Sequence, residues 1–159
     1  MRKQQKGFSL IELLIVVAII LIIAAMAIPS LIRAKIAANE ASAVGSIRSI
    51  NTSAVTYSTT YPDQGFPATL AAMGGPNPCP AATFAAACLV DAVLAAGTKS
   101  GYTFIWTGDG LLPSVNYTLN ATPLIVGSSG QRMFCSNPSG VIYFDPSGAG
   151  CTTASTPLQ

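Results

Sequence analysis

The sequence predicts an α+β fold, in which a long N-terminal α-helix packs its C-terminal half on a small antiparallel β-sheet head. Three observations point there. Sixteen apolar residues run without interruption from Leu13 to Ile28. A single apolar stripe then continues at helical spacing as far as Tyr61. Four short segments rich in β-forming residues follow residue 100, divided by Gly, Asp and Pro turn signals.

The first element is the stretch KGFSLIELLIVVAIILIIAAMAIPS, which starts at Lys6. Residues 8–28 supply about the ~20 positions that a membrane-spanning helix needs. Arg2, Lys3 and Lys6 precede the run, the placement expected of a segment entering a membrane from the cytoplasm. Three ordinary readings compete: a cleaved secretory signal with Ala25-Met26-Ala27 as its cleavage site, a plain membrane anchor, and a buried core helix. Glu12 is the anomaly. A carboxylate in the bilayer interior costs about 2.5–3.5 kcal/mol on insertion scales.

Beyond Pro29 the pattern becomes amphipathic. Ile32, Ile36, Ala43, Ile47, Ile50, Ala54, Tyr57 and Tyr61 share one helical stripe, and Arg33, Lys35, Asn39, Glu40, Arg48 and Asn51 lie off it. One helix is therefore expected from about Ser9 to Thr59, roughly 75 Å long at ~1.5 Å per residue. Pro29 lacks an N–H and predicts a kink or local melting at residues 25–29. Gly45 costs ~1 kcal/mol relative to Ala in a helix, and reads as a site of close packing or of flexibility.

The helix should end near TTYPDQGFP. ATLAAMGGPNPCP then gives a short helical turn and a loop, and AATFAAACLVDAVLAAG reads as a second, shorter helix ending at Gly97. Strands are expected at 101–108, 114–122, 131–136 and 141–145, as an antiparallel meander. Its apolar face draws on Tyr102, Phe104, Trp106, Tyr117, Leu119, Phe134, Ile142 and Phe144, and must be covered. The amphipathic half of the long helix is the matching cover.

Composition narrows function. Charged residues make up 9% of the chain, against about 25% in average soluble domains. From Phe8 onward five Lys/Arg face six Asp/Glu, scattered singly, so no nucleic-acid patch is read. Histidine is absent, which removes ordinary Ser-His-Asp, Cys-His and His–metal chemistry. No pair of the separated acids suggests acid–base work. No catalytic residue, cofactor site or metal site is predicted, and the chain reads as a non-enzyme.

Two features remain open at this stage. Asp109 and Asp145 sit in Gly-rich turns that could offer calcium ligands, though no dense acidic cluster surrounds them. Asn51, Asn116 and Asn120 open N-x-S/T triplets, which are weak signals in a Ser/Thr-rich chain. The four cysteines allow three pairings. Cys79–Cys88 and Cys135–Cys151 are favoured because each pair is close in sequence and closes a small loop. Zinc would require an oddly spaced four-cysteine site.

The N-terminal stretch resembles the class III signal of type IV pilins and of type II secretion pseudopilins. The likeness rests on a short basic leader ending at Gly7, then Phe8, a carboxylate at the fifth place after the Gly7–Phe8 junction, an apolar run, and Pro29. It covers about 30 residues closely, and the helix-then-sheet layout extends it in outline.

The resemblance implies that residues 1–7 are a leader, cut between Gly7 and Phe8 by a prepilin peptidase that also N-methylates Phe8. Residues 8–28 would be the transmembrane and filament-core half of the helix. Residues 29–159 would form the head: half-helix to about 60, loop and second helix over 61–97, sheet over about 101–145, and a tail to 159. Glu12 would meet the Phe8 amine of a neighbouring subunit and align it.

The implied protein is a structural subunit of an extracellular type IV pilus. It would wait in the cytoplasmic membrane, with other pilin subunits, the peptidase, an assembly ATPase and a platform membrane protein as partners. A pseudopilin or minor pilin is the alternative, and a membrane-anchored or secreted binding module comes third.

Overall fold

A computed structural model describes residues 8–76 and 78–158. The first helix, α1, spans Leu10–Thr60 and stays helical through Pro29, so the melting anticipated at residues 25–29 does not occur. A 3-10 turn at Leu70–Met73 and a one-turn helix α2 at Ala92–Ala95 follow. Six strands follow among the described residues: β1 (Thr98–Lys99), β2 (Tyr102–Gly108), β3 (Tyr117–Pro123), β4 (Met133–Ser136), β5 (Ile142–Asp145) and β6 (Thr156–Pro157). They lie side by side in sequence order, each antiparallel to the next. The chain divides into two compact units, one ending at Lys35 and one beginning at Ile36, and α1 contributes to both.

In the first unit the apolar side chains have no internal partner. Every large one from Phe8 to Ile28 is exposed, from 46% at Val17 to 81% at Phe8. The run is long and apolar enough to cross a membrane. An apolar surface of this extent is not stable in water and calls for lipid or protein around it.

In the second unit the stripe of α1 does what its spacing predicts from Ala43 onward. Ala43, Ile47, Ile50, Ala54 and Tyr57 are buried with Tyr102, Phe104, Tyr117, Leu119, Ala121, Phe134 and Ile142 in one core. Trp106 and Phe144, also expected on that face, are partly buried against it. Trp106 stacks on Tyr117 with ring centroids 4.1 Å apart and donates its indole N–H to Pro67 O at 2.7 Å. Pro62 closes the helix, since it has no N–H and disfavours helical geometry in Tyr61.

The segment 81–97 departs from expectation, being helical only at Ala92–Ala95. Its backbone is used elsewhere. The amides of Ala87, Cys88, Leu89 and Val90 donate to carbonyls of Ala72, Gly74 and Met73, which an α-helix would have turned inward. Cys88 sits at φ 55°, a left-handed conformation that no helix interior accepts, and is bonded to Cys79. Helix formation waits for Asp91, whose carboxylate accepts the Leu94 amide at 2.8 Å as an N-cap. β1 and β6 were not anticipated because two residues are too few to show a period.

Gly45 is explained neither by packing nor by contact in this chain. A Cβ placed there meets no atom within 4 Å.

Candidate functional site

The expected site residues fall in three places. Gly7, with the rest of the leader, lies outside the described residues. Phe8, Glu12 and Pro29 lie in the first unit, at the start, in the first turn and inside α1 respectively. The cysteines lie in the head, bonded as Cys79–Cys88 and Cys135–Cys151 with Cα separations of 6.4 and 5.7 Å.

At the N-terminus, Ser9 precedes the first helical residue and its carbonyl accepts the Leu13 amide at 3.2 Å. Glu12 folds back so that its Oε2 accepts the Ser9 backbone N–H at 2.9 Å. This is one half of a capping box, the Ser-x-x-Glu pattern in which a carboxylate three residues on closes the helix start. The positive end of the helix macrodipole adds to the attraction. Glu12 is therefore partnered within its own chain, which lowers the penalty that first made it anomalous. The reading from sequence missed this role, and the Ser9–Glu12 spacing was the signal for it.

A second carboxylate fixes α1 within the head. Glu40 is buried, and its Oε1 accepts the amides of Gln131 and Arg132, each at 3.0 Å. Its Oε2 accepts the Arg132 guanidinium, with Nη2 at 2.7 Å and Nε at 2.8 Å. Burial works against ionisation, but these four donors outweigh it and hold the Glu40 carboxyl below the usual carboxylate range. Arg132 also lies over the rings of Phe134 and Phe144, 5.4 and 5.5 Å from their centroids. Asn39 adds a hydrogen bond to Ser129 O at 2.7 Å. One turn of α1 is thus clamped to the β3–β4 connection.

Asn51, off the stripe and first noted for its triplet, is buried. It donates to Ser136 Oγ at 2.8 Å and accepts the Tyr117 hydroxyl at 3.1 Å. Burial pushes the Tyr117 hydroxyl up to about 12, so it remains a donor throughout the physiological range. Modification of Asn51 would require opening the core.

The two acids considered as calcium ligands organise their own turns. Asp109 accepts the amides of Leu111, Val115 and Asn116, and these donors together with the Ser114 hydroxyl, led by Leu111, hold it down at about 2. Asp145 accepts from the Ser147 hydroxyl and from the Gly150 and Ala149 amides, which lower its carboxyl too. Among the described residues no three His, Cys, Asp or Glu side chains come together as a metal site would need. The head also holds an apolar groove of about 520 Å³ beside Phe66, Phe84, Leu111 and Leu112, with no charged side chain in its lining.

The family comparison bears on the N-terminal turn. The prokaryotic N-terminal methylation motif matches residues 2–28. The N-terminus is a class III signal of the type IV pilin and pseudopilin kind. The motif takes in both Phe8 and Glu12 and ends where the uninterrupted apolar run ends, at Ile28. It supports a pilin-like or pseudopilin protein, and with the exposed apolar helix it is consistent with membrane anchoring. Comparison with curated proteins and with solved structures gave no match.

Proposed function

We propose that this chain is a structural subunit of an extracellular type IV pilus. In this reading prepilin peptidase cuts between Gly7 and Phe8 and N-methylates Phe8, and an assembly ATPase with a platform membrane protein moves the subunit from the cytoplasmic membrane into a helical filament. The observation that carries the reading is the methylation motif at residues 2–28, placed on a helix whose apolar side chains are exposed all round.

The energetics support it. Burying each CH₂ from water contributes about 0.8 kcal/mol, so the run is stable only in lipid or against other apolar helices. Transfer from lipid to a bundle of identical helices exchanges one apolar setting for another and is close to neutral. Ala18, Ala24, Ala25 and Ala27 allow the helices of such a bundle to approach closely. Pro29 forgoes one helical hydrogen bond and is where α1 would yield as the subunit enters the filament. The paired cysteines stabilise a small head that would face an oxidising compartment.

Glu12 selects and aligns neighbours. Its partner in a second subunit is the amine of Phe8, which exists only after the leader is removed. Cleavage then frees the subunit and also creates the opposite charge. The test is Glu12→Ala in cells, read by electron microscopy of sheared surface filaments together with membrane fractionation. The reading predicts loss of filaments with the subunit retained in the membrane. Normal filaments from the variant would remove the charge pair from the account.

A further inference from the structure

Among the described residues, only one of the two Glu12 carboxylate oxygens is engaged. Oε2 takes the Ser9 backbone N–H at 2.9 Å, and among the described residues no group donates to Oε1. The Ser9 hydroxyl likewise makes no hydrogen bond among the described residues, so the contact runs through its amide alone. We infer that Ser9 is a positioning residue for Glu12, its amide holding one carboxylate oxygen in the helix's own first turn and leaving the other for an incoming amine. The second half of this inference rests on the subunit pairing proposed above, and the first half does not.

The physical argument begins with the helix end. The first turn of α1 has amides that no carbonyl of the helix can reach, and in lipid water is not there to replace it. A carboxylate at the third helical position is the side chain placed to serve them. Held in this way, Glu12 is fixed in one orientation before any neighbour arrives, and less conformational freedom is lost when the second subunit docks. The same bond keeps the carboxylate from standing unpartnered while the subunit waits in the membrane. Removal of the leader leaves the contact in place, because the cut would make the Phe8 nitrogen an amine while the Ser9 nitrogen remains an amide.

The amide and hydroxyl roles separate by substitution. Ser9→Ala keeps the N–H and removes the hydroxyl, whereas Ser9→Pro removes the N–H at the N-cap, where no hydrogen bond of the helix ladder is lost. The direct measurement is NMR of the isotope-labelled mature chain in lipid nanodiscs, seeking the scalar coupling between the Ser9 amide nitrogen and the Glu12 side-chain carboxyl carbon. The coupling is expected, and its absence in the wild-type chain would overturn the inference.

In cells, Ser9→Ala should assemble as wild type. Ser9→Pro should give about tenfold fewer filaments, the size of effect a lost helix cap produces. N-terminal sequencing shows whether Ser9→Pro is still cut after Gly7, and if it is not, the coupling decides alone. Equal assembly of the cleaved proline variant, or equal loss in the alanine variant, would contradict the positioning role. A coupling present alongside normal filaments from Glu12→Ala would leave the cap standing and refute the subunit pairing.

Discussion

Glu40 shows how much one side chain can hold. It satisfies two backbone amides and a guanidinium from a position that is 6% exposed, and it joins α1 to residues more than 90 positions away. Removing the carboxylate strands all these donors, and a hydrogen bond to a charged group contributes about 1.5–3 kcal/mol. Glu40→Ala should therefore destabilise the head by at least about 2 kcal/mol, as measured by urea unfolding of the detergent-solubilised chain. The pH dependence has a definite sign. The folded carboxyl sits below its ordinary value of 4.5, so its contribution is complete above that value and is lost as pH falls through the lower folded one. Asp91, Asp109 and Asp145 are shifted in the same direction from 3.8. Stability should be level from neutrality to about pH 5 and then decline, and Glu40→Gln should shrink the part of the decline just below 4.5. An unchanged acid limb in that variant would contradict the clamp.

Among the elements, α1 was the most legible, because its apolar spacing repeats over many turns and the buried apolar residues from Ala43 to Tyr57 in the core are ones the stripe names. The polar ties were not. Glu40 and Asn51 lie off the stripe, and only the opposing β3–β4 connection and β4 turn them into buried partners. The segment 81–97 was misread for a related reason. Its alanines favour a helix locally, but Cys88 and the carbonyls of residues 72–74 take the backbone first. The Ser9 cap is written in the sequence as Ser-x-x-Glu, within a run whose apolar character marks Glu12 first as a charge in a membrane.

Two predictions belong to this scale. Gly45 has room for a side chain, so Gly45→Ala should stabilise the head by about 1 kcal/mol through helix propensity, seen as a raised melting temperature. A fall would mean that the glycine is needed for bending. The Cys135–Cys151 bond spans 16 residues, and closing a loop of that size contributes about 3 kcal/mol in the chain-entropy description. The double variant Cys135→Ala/Cys151→Ala should lose a comparable amount in urea unfolding. Equal stability would show that the bond constrains nothing the fold does not already hold.

The whole molecule joins two kinds of surface. One unit carries an apolar helix that no described residue covers, and the other has a core covered on its own terms, with no buried side-chain polar atom left without a partner among the described residues. An apolar helix of this kind calls for lipid or protein around it, and under the proposed function the membrane and then copies of the chain supply both. The methylation motif at residues 2–28 supports that reading, and the proposed cut at Gly7–Phe8 with methylation of the Phe8 amine makes it testable. The most direct measurement is mass spectrometry and N-terminal sequencing of the mature protein from sheared surface filaments. The account predicts a chain beginning at Phe8 and carrying one added methyl group on its amine. A mature chain that begins at Met1, or at Ile28 after the Ala25-Met26-Ala27 stretch, would contradict it.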